Sequence, residues 1–228
     1  MDMEIQTKSF EVGGVAISYK KSGRGRPIIF VHGNMGSNKD FEGMHGKLSG
    51  EYTVYAPDTR SHGQSGAVRQ LSYDDIADDI VALVRHEQME KPIFFGYSDG
   101  AIVGLLLGIK HPDMFGKLLI AGVNLKWNGV KAVWRFLARL IFCFSLSGRL
   151  RDKMRLMIRQ PEITAEELRK IETPLTVFYG EKDIVKLSHS QTVIDNVAGS
   201  ELVIVKGENH GSYILDNDKL YGVIRGYI

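Results

Sequence analysis

Pro92-Ile-Phe-Phe-Gly-Tyr-Ser98-Asp-Gly-Ala-Ile-Val-Gly-Leu-Leu-Leu-Gly108 is a short apolar strand that runs through a G-x-S-x-G pentapeptide straight into an apolar helix. The spacing puts Ser98 on the corner between the two. A serine there is presented at the end of a sheet, where the next residue's N–H and the positive end of the helix can stabilise an oxyanion. The pentapeptide alone is a weak signal, and its weight comes from the sequence on either side.

Working outward, Phe10 to Lys21 alternates loosely around Gly13-Gly14 and predicts an antiparallel hairpin at a sheet edge. Pro27-Ile-Ile-Phe-Val-His-Gly33 and Tyr52 to Pro57 are continuous apolar runs, the pattern of strands covered on both faces. Tyr73 to Gln88 spaces Ile76, Ile80, Val81, Leu83 and Val84 at helical intervals, with Asp residues in the first turn. Strands are predicted again at Lys117 to Val123, Leu175 to Tyr179 and Glu201 to Val205. Alternating strand and helix implies an α/β fold with a doubly wound, mostly parallel sheet.

The alternation stops between Leu125 and Pro174. Val130, Val133, Trp134, Leu137, Leu140, Ile141 and Phe144, then Leu150, Met154, Met157 and Ile158, fit helices only, and Thr164-Ala-Glu-Glu167 reads as a capping box. The expected organisation is a core of residues 1–125 and 163–228, with a small helical cap inserted at 126–162. Its simplest packing lays the apolar stripe over the sheet and turns the Arg and Lys residues to solvent.

At 228 residues and 43% hydrophobic, the chain can bury one substantial core. Its net charge of +2 hides an asymmetry: residues 126–160 carry nine Lys and Arg against one acid, Asp152. No apolar run is long enough to span a bilayer, and Met1-Asp-Met-Glu-Ile-Gln6 lacks the order of a signal peptide, so a cytoplasmic protein is expected. Cys143 is the single cysteine, and no Cys/His spacing suits a structural zinc. Neither a metal nor a cofactor is expected, and a nucleic-acid role has no motif beyond the basic insertion.

A serine hydroxyl attacks only when a base takes its proton and a third group orients that base. Asp183 follows the strand Leu175 to Tyr179 in Gly180-Glu-Lys-Asp183, and His210 follows the strand Glu201 to Val205 in Asn209-His210-Gly211. In an open parallel sheet such sites lie beyond the strands' carboxyl ends, so Ser98, Asp183 and His210 can converge. The order nucleophile, acid, histidine is that of the α/β-hydrolases.

The chain resembles that family from about Phe10 to Ile228. The pieces that carry the likeness are Val31-His-Gly-Asn34, Asp58-Thr-Arg-Ser-His-Gly-Gln-Ser65, Gly96-Tyr-Ser-Asp-Gly100, Gly180-Glu-Lys-Asp183 and Asn209-His-Gly211. The resemblance implies Ser98 as nucleophile, His210 as base then acid, Asp183 as its orienter, and the backbone N–H groups of Asn34 and Asp99 as an oxyanion hole. It departs at Ser61, where the family often has glycine. His32 and His62 are expected to be structural.

The implied activity is hydrolysis of a small carboxylic ester through an acyl-serine intermediate. Two rivals stay open: a lyase or carbon–carbon bond hydrolase acting on a carboxylated substrate, and a ligand receptor on the same scaffold. The Gly-x-Ser-Asp-Gly form is similar to valacyclovir hydrolase-like enzymes, which implies a substrate-binding role for Asp99; Trp127 and Trp134 of the insertion are further candidates. The basic insertion also admits peripheral contact with an acidic lipid surface.

Overall fold

The computed structural model describes residues 4–159 and 161–228. Met1, Asp2 and Met3, part of the N-terminal stretch read for a leader, and Gln160 of the expected insertion lie outside the described residues. The strands are β1 (Gln6–Val12), β2 (Val15–Gly23), β3 (Arg26–Val31), β4 (Tyr52–Pro57), β5 (Ile93–Tyr97), β6 (Lys117–Ala121), β7 (Leu175–Lys182) and β8 (Glu201–Asn209). They form one sheet in the order β1-β2-β4-β3-β5-β6-β7-β8. β2 is antiparallel to β1 and to β4, and every pairing from β4 to β8 is parallel.

The continuous apolar runs follow from what covers the sheet. Side chains alternate between faces along a strand, and Ile29, Val31, Phe94, Leu118, Ile120 and Val177 pack into one core while Ile28, Phe30, Ile93, Phe95, Leu119 and Phe178 pack into the other. Helices α2 (Tyr73–His86), α3 (Asp99–Lys110), α6 (Ala165–Leu168) and α7 (Leu187–Asn196) cover the first face. Helices α1 (Glu42–Leu48) and α8 (Asn217–Ile224) cover the second. With both faces covered, the central strands β3, β5 and β6 read as apolar runs, while the flanking strands still bury Ser18, Ser22 and Thr176.

The insertion contains α4 (Ala132–Phe144) and α5 (Gly148–Arg159). Its two legs meet at the base, where Lys126 bridges Glu162 and the Ile163 amide donates to the Leu125 carbonyl at 3.1 Å. A second seam ties the first leg to the loop after β7: Val130 bridges Val185, and the Lys131 amide donates to the Ile184 carbonyl at 2.9 Å. The expected packing needs correction. α4 buries Ala138 alone, and Val133, Phe136 and Phe144 face solvent instead of the sheet.

Ser61 sits at φ 63, the left-handed region that glycine adopts most easily. Its hydroxyl accepts from the Val68 amide at 3.0 Å, an anchor that glycine would lack.

Candidate active site

Ser98 occupies the corner at φ 53, ψ −108, outside the basins open to most residues. The surroundings hold it there: its amide donates to the Ala121 carbonyl at 2.8 Å, and its own carbonyl accepts from Ala101 at 2.9 Å. Flanking glycines permit the sharp turn. A Cβ on Gly96 would lie 2.1 Å from the Gly100 carbonyl oxygen, and one on Gly100 would lie 2.3 Å from that of Val31.

Strands β7 and β8 end beside this corner. His210 Nε2 lies 3.1 Å from Ser98 Oγ, and His210 Nδ1 lies 2.7 Å from Asp183 Oδ1. Asp183 is fully buried, and the same Oδ1 accepts from the Val185 amide at 2.8 Å, so the carboxylate is clamped before the imidazole reaches it. A carboxylate can only accept, so the proton of this ring is on Nδ1 and Nε2 presents its lone pair to the serine hydroxyl. The three residues singled out in the sequence are brought into one hydrogen-bonded line, in the geometry a proton relay needs.

Ser98, His210, Asn34 and Asp99 share one wall of a cavity of about 450 Å³. That falls within the roughly 300–1,000 Å³ common to small-molecule sites. The opposite wall comes from the insertion: Trp134, Leu137 and Ile141 of α4, and Met154 and Met157 of α5. No Lys or Arg is among the lining residues. Trp127 corrects the expectation set by the sequence. It lies in a short turn that packs against α5, and its side chain does not line the cavity, because α4 supplies that wall further along the chain.

Asp99 opens α3, where its amide has no partner within the helix. Its side chain is nearly buried and takes the Tyr73 hydroxyl on one oxygen and Asn34 Nδ2 on the other, both at 3.0 Å. Asn34 Nδ2 also donates to the Lys153 carbonyl of α5 at 3.2 Å, linking the site to the insertion. Desolvation pushes the Asp99 carboxyl up to about 6, and the two donors only partly offset it.

A carboxyl raised in the folded state gives stability that is present below its unfolded pKa of about 4 and is lost as pH rises through the folded value near 6. Asp99→Asn removes that loss. Urea unfolding is expected to show the variant more stable by about 2 kcal/mol near pH 7, with the gain shrinking towards zero near pH 4. A gain equal at both pH values would contradict a burial effect on ionisation.

His32 and His62 stay outside this cavity. His32 Nδ1 donates to the Gly33 carbonyl at 2.8 Å while Nε2 accepts from the Thr59 amide at 3.1 Å, pinning the loop after β3 to the loop after β4. Burial drives both below the usual histidine range, His32 to about 4 and His62 to about 3, so they stay neutral. Asp58 organises the same loop, accepting from the Asn38 amide at 2.7 Å and the Gln64 amide at 2.8 Å.

Three contributors escape a motif search. Gly122 turns the chain after β6 at φ +65, and a Cβ there would lie 2.7 Å from His210 Cε1. The Tyr97 ring packs 5.1 Å from the imidazole. Lys131, from the insertion, donates to the Asp183 carbonyl at 2.5 Å. In the sequence Gly122 stands inside the predicted strand Lys117 to Val123, which ends at Ala121 in the structure, and Tyr97 fills a variable position of the pentapeptide, so neither was marked as part of the site.

The model of the Alpha/beta hydrolase family matches residues 28–221, from β3 to the last helix. Human "Serine hydrolase BPHL" is 26% identical over 92% of this chain and 82% of its own length. "Ethanol acetyltransferase 1" of Kluyveromyces lactis is 35% identical over 41% of this chain, which spans only 26% of that protein. The esterase RhEst1 of Rhodococcus sp. ECU1013 superposes with a TM-score of 0.79 at 24% identity, covering 100% of this chain and 98% of its own, a likeness of fold. With the family model matched across the sheet, the Ser98 corner and the loops that hold Asp183 and His210, the chain belongs to the alpha/beta hydrolase family.

Proposed function

We propose that the chain is a serine hydrolase of small, neutral carboxylic esters, with Ser98 as nucleophile, His210 as base then acid, and Asp183 as orienter. The observation that carries this is the line from Asp183 through His210 to Ser98, at 2.7 and 3.1 Å, opening on an apolar cavity. His210 Nε2 takes the hydroxyl proton as Ser98 Oγ bonds to the acyl carbon. The oxyanion is received by the Asn34 and Asp99 amides, a device in which each donor is worth about 3–4 kcal/mol. His210 then protonates the leaving alcohol, and water repeats the cycle on the acyl-serine.

In this reading residues 126–162 act as a cap that shapes the acyl pocket over a core of 1–125 and 163–228. The paired legs at Lys126 and Glu162 support those bounds. The lining supports neutral or cationic substrates over carboxylated ones, since Asp99 is acidic and no Lys or Arg among the described residues lines the cavity. That weakens the lyase and carbon–carbon hydrolase alternatives.

A fluorophosphonate probe tests the core of the proposal. The wild-type chain is expected to label and Ser98→Ala to stay unlabelled. A wild-type chain that never labels would overturn the assignment.

A further inference from the structure

Helix α4 exposes apolar surface that folding alone does not account for. Val133, Phe136, Leu140 and Phe144 recur at intervals of three and four and so share one face. Phe136 is 61% exposed, Phe144 78%, and Leu146, in the turn to α5, is fully exposed. Ala138, on the opposite side, is the helix's one buried residue. Water meets this face directly, and a contiguous exposed apolar surface of this kind marks an interaction site.

The charge around it selects the partner. Arg139, Arg149 and Arg151 are exposed on the same segment. The only carboxylate of residues 126–160, Asp152, is already paired with Arg155 at 3.0 Å. An apolar helix face bordered by exposed cations, with no acid to repel an anionic surface, is the pattern of a helix that lies in a lipid interface. A second copy of this chain would instead bring two basic faces together, which like-charge repulsion opposes.

The same helix reaches the site. Trp134, Leu137 and Ile141 line the cavity, and Leu140 touches both the cavity and the outward face. Apolar side chains therefore continue from the outer face of α4 to the cavity that holds Ser98.

We propose that α4 is an interfacial helix that seats the cap on an anionic lipid surface and opens the Ser98 cavity to acyl esters held in that surface. The docking stands on the exposed face and its charges; the supply of substrate rests on the hydrolase reading.

Co-sedimentation tests the docking, with vesicles of phosphatidylcholine alone or mixed with phosphatidylglycerol, at low and high salt. The Ser98→Ala protein serves as ligand, so binding is read without turnover. Strong binding to the phosphatidylglycerol vesicles at low salt is expected, with a loss of about tenfold or more at high salt or on phosphatidylcholine alone.

The double variant Phe136→Glu/Phe144→Glu is expected to lose at least about tenfold in vesicle affinity. Neither residue lines the cavity, so its kcat/KM on a soluble short-chain ester should stay within about twofold of wild type. No binding to the anionic vesicles at low salt overturns the proposal, as does equal binding to both vesicle types. A concentration-dependent dimer that the double variant abolishes, without vesicle binding, would make the face a self-interface and overturn it too. Failure of the fluorophosphonate assay alone would remove the substrate clause and leave the docking result standing.

Discussion

Ser98→Ala and His210→Ala are each expected to lower kcat on an activated ester by about 10⁶-fold, and the double variant is expected to lose little more. The non-additivity follows from geometry. The two side chains share one hydrogen bond, at 3.1 Å between His210 Nε2 and Ser98 Oγ, so on the proposed mechanism removing either end removes the whole proton transfer. On the proposed mechanism the residual rate comes from the Asn34 and Asp99 amides and the cavity, which both variants keep, and is expected to exceed the uncatalysed rate by about 10³–10⁴.

KM should change far less than kcat, because both variants keep the apolar wall from α4 and α5 that the proposal assigns to the acyl group. Stopped-flow and single-turnover assays on all three variants check this. Losses that multiply in the double variant would show that Ser98 and His210 act independently, and the relay would be wrong.

The core and the residues brought into line were legible because each follows from a local rule. Strand β5 and helix α3 were written as two apolar runs joined at Ser98-Asp99, and the glycines at 96 and 100 are demanded by backbone approaches closer than a Cβ allows. Asp183 and His210 could be picked out because each follows an apolar strand, and parallel strands end on the same side of a sheet. Helix α7 was missed. Its sequence, Leu187-Ser-His-Ser-Gln-Thr-Val-Ile-Asp-Asn196, buries only Ser190 and Val193 and carries too faint a period.

The cap was legible in kind but not in orientation. Val133, Trp134, Phe136, Leu137, Leu140, Ile141 and Phe144 span about 160° of α4 at about 100° per residue, a stripe wide enough that periodicity could not say which of its edges met the protein. The answer depends on the seams at Lys126–Glu162 and Val130–Val185, which fix how the first leg enters. Those are long-range pairings, and nothing local announces them. Trp127 failed as a lining residue for the same reason: the seams set the turn it occupies against α5.

Asp183→Asn is expected to lower kcat by about 10³–10⁴-fold while leaving the chain folded. The Val185 amide and the His210 Nδ1–H both point at Oδ1, at 2.8 and 2.7 Å, so an asparagine oxygen placed there keeps both donors satisfied. Its NH₂ then takes the position of Oδ2, a buried atom with no hydrogen-bond partner among the described residues. What the variant loses, on the proposed mechanism, is the negative charge that stabilises the imidazolium formed as Ser98 attacks, with the ring still held in place.

Asp183→Ala loses the acceptor as well and leaves the buried Val185 N–H unpaired, at a cost of about 1–3 kcal/mol. It is therefore expected to match or exceed the kinetic loss of the asparagine variant and, unlike it, to lower Tm by several degrees, on the order of 2–4 °C per kcal/mol for a chain of this size. Steady-state kinetics beside thermal unfolding of the two variants separates charge from orientation. A loss of less than about tenfold in Asp183→Asn would show that the carboxylate carries little of the transition state, against the role its buried clamp supports.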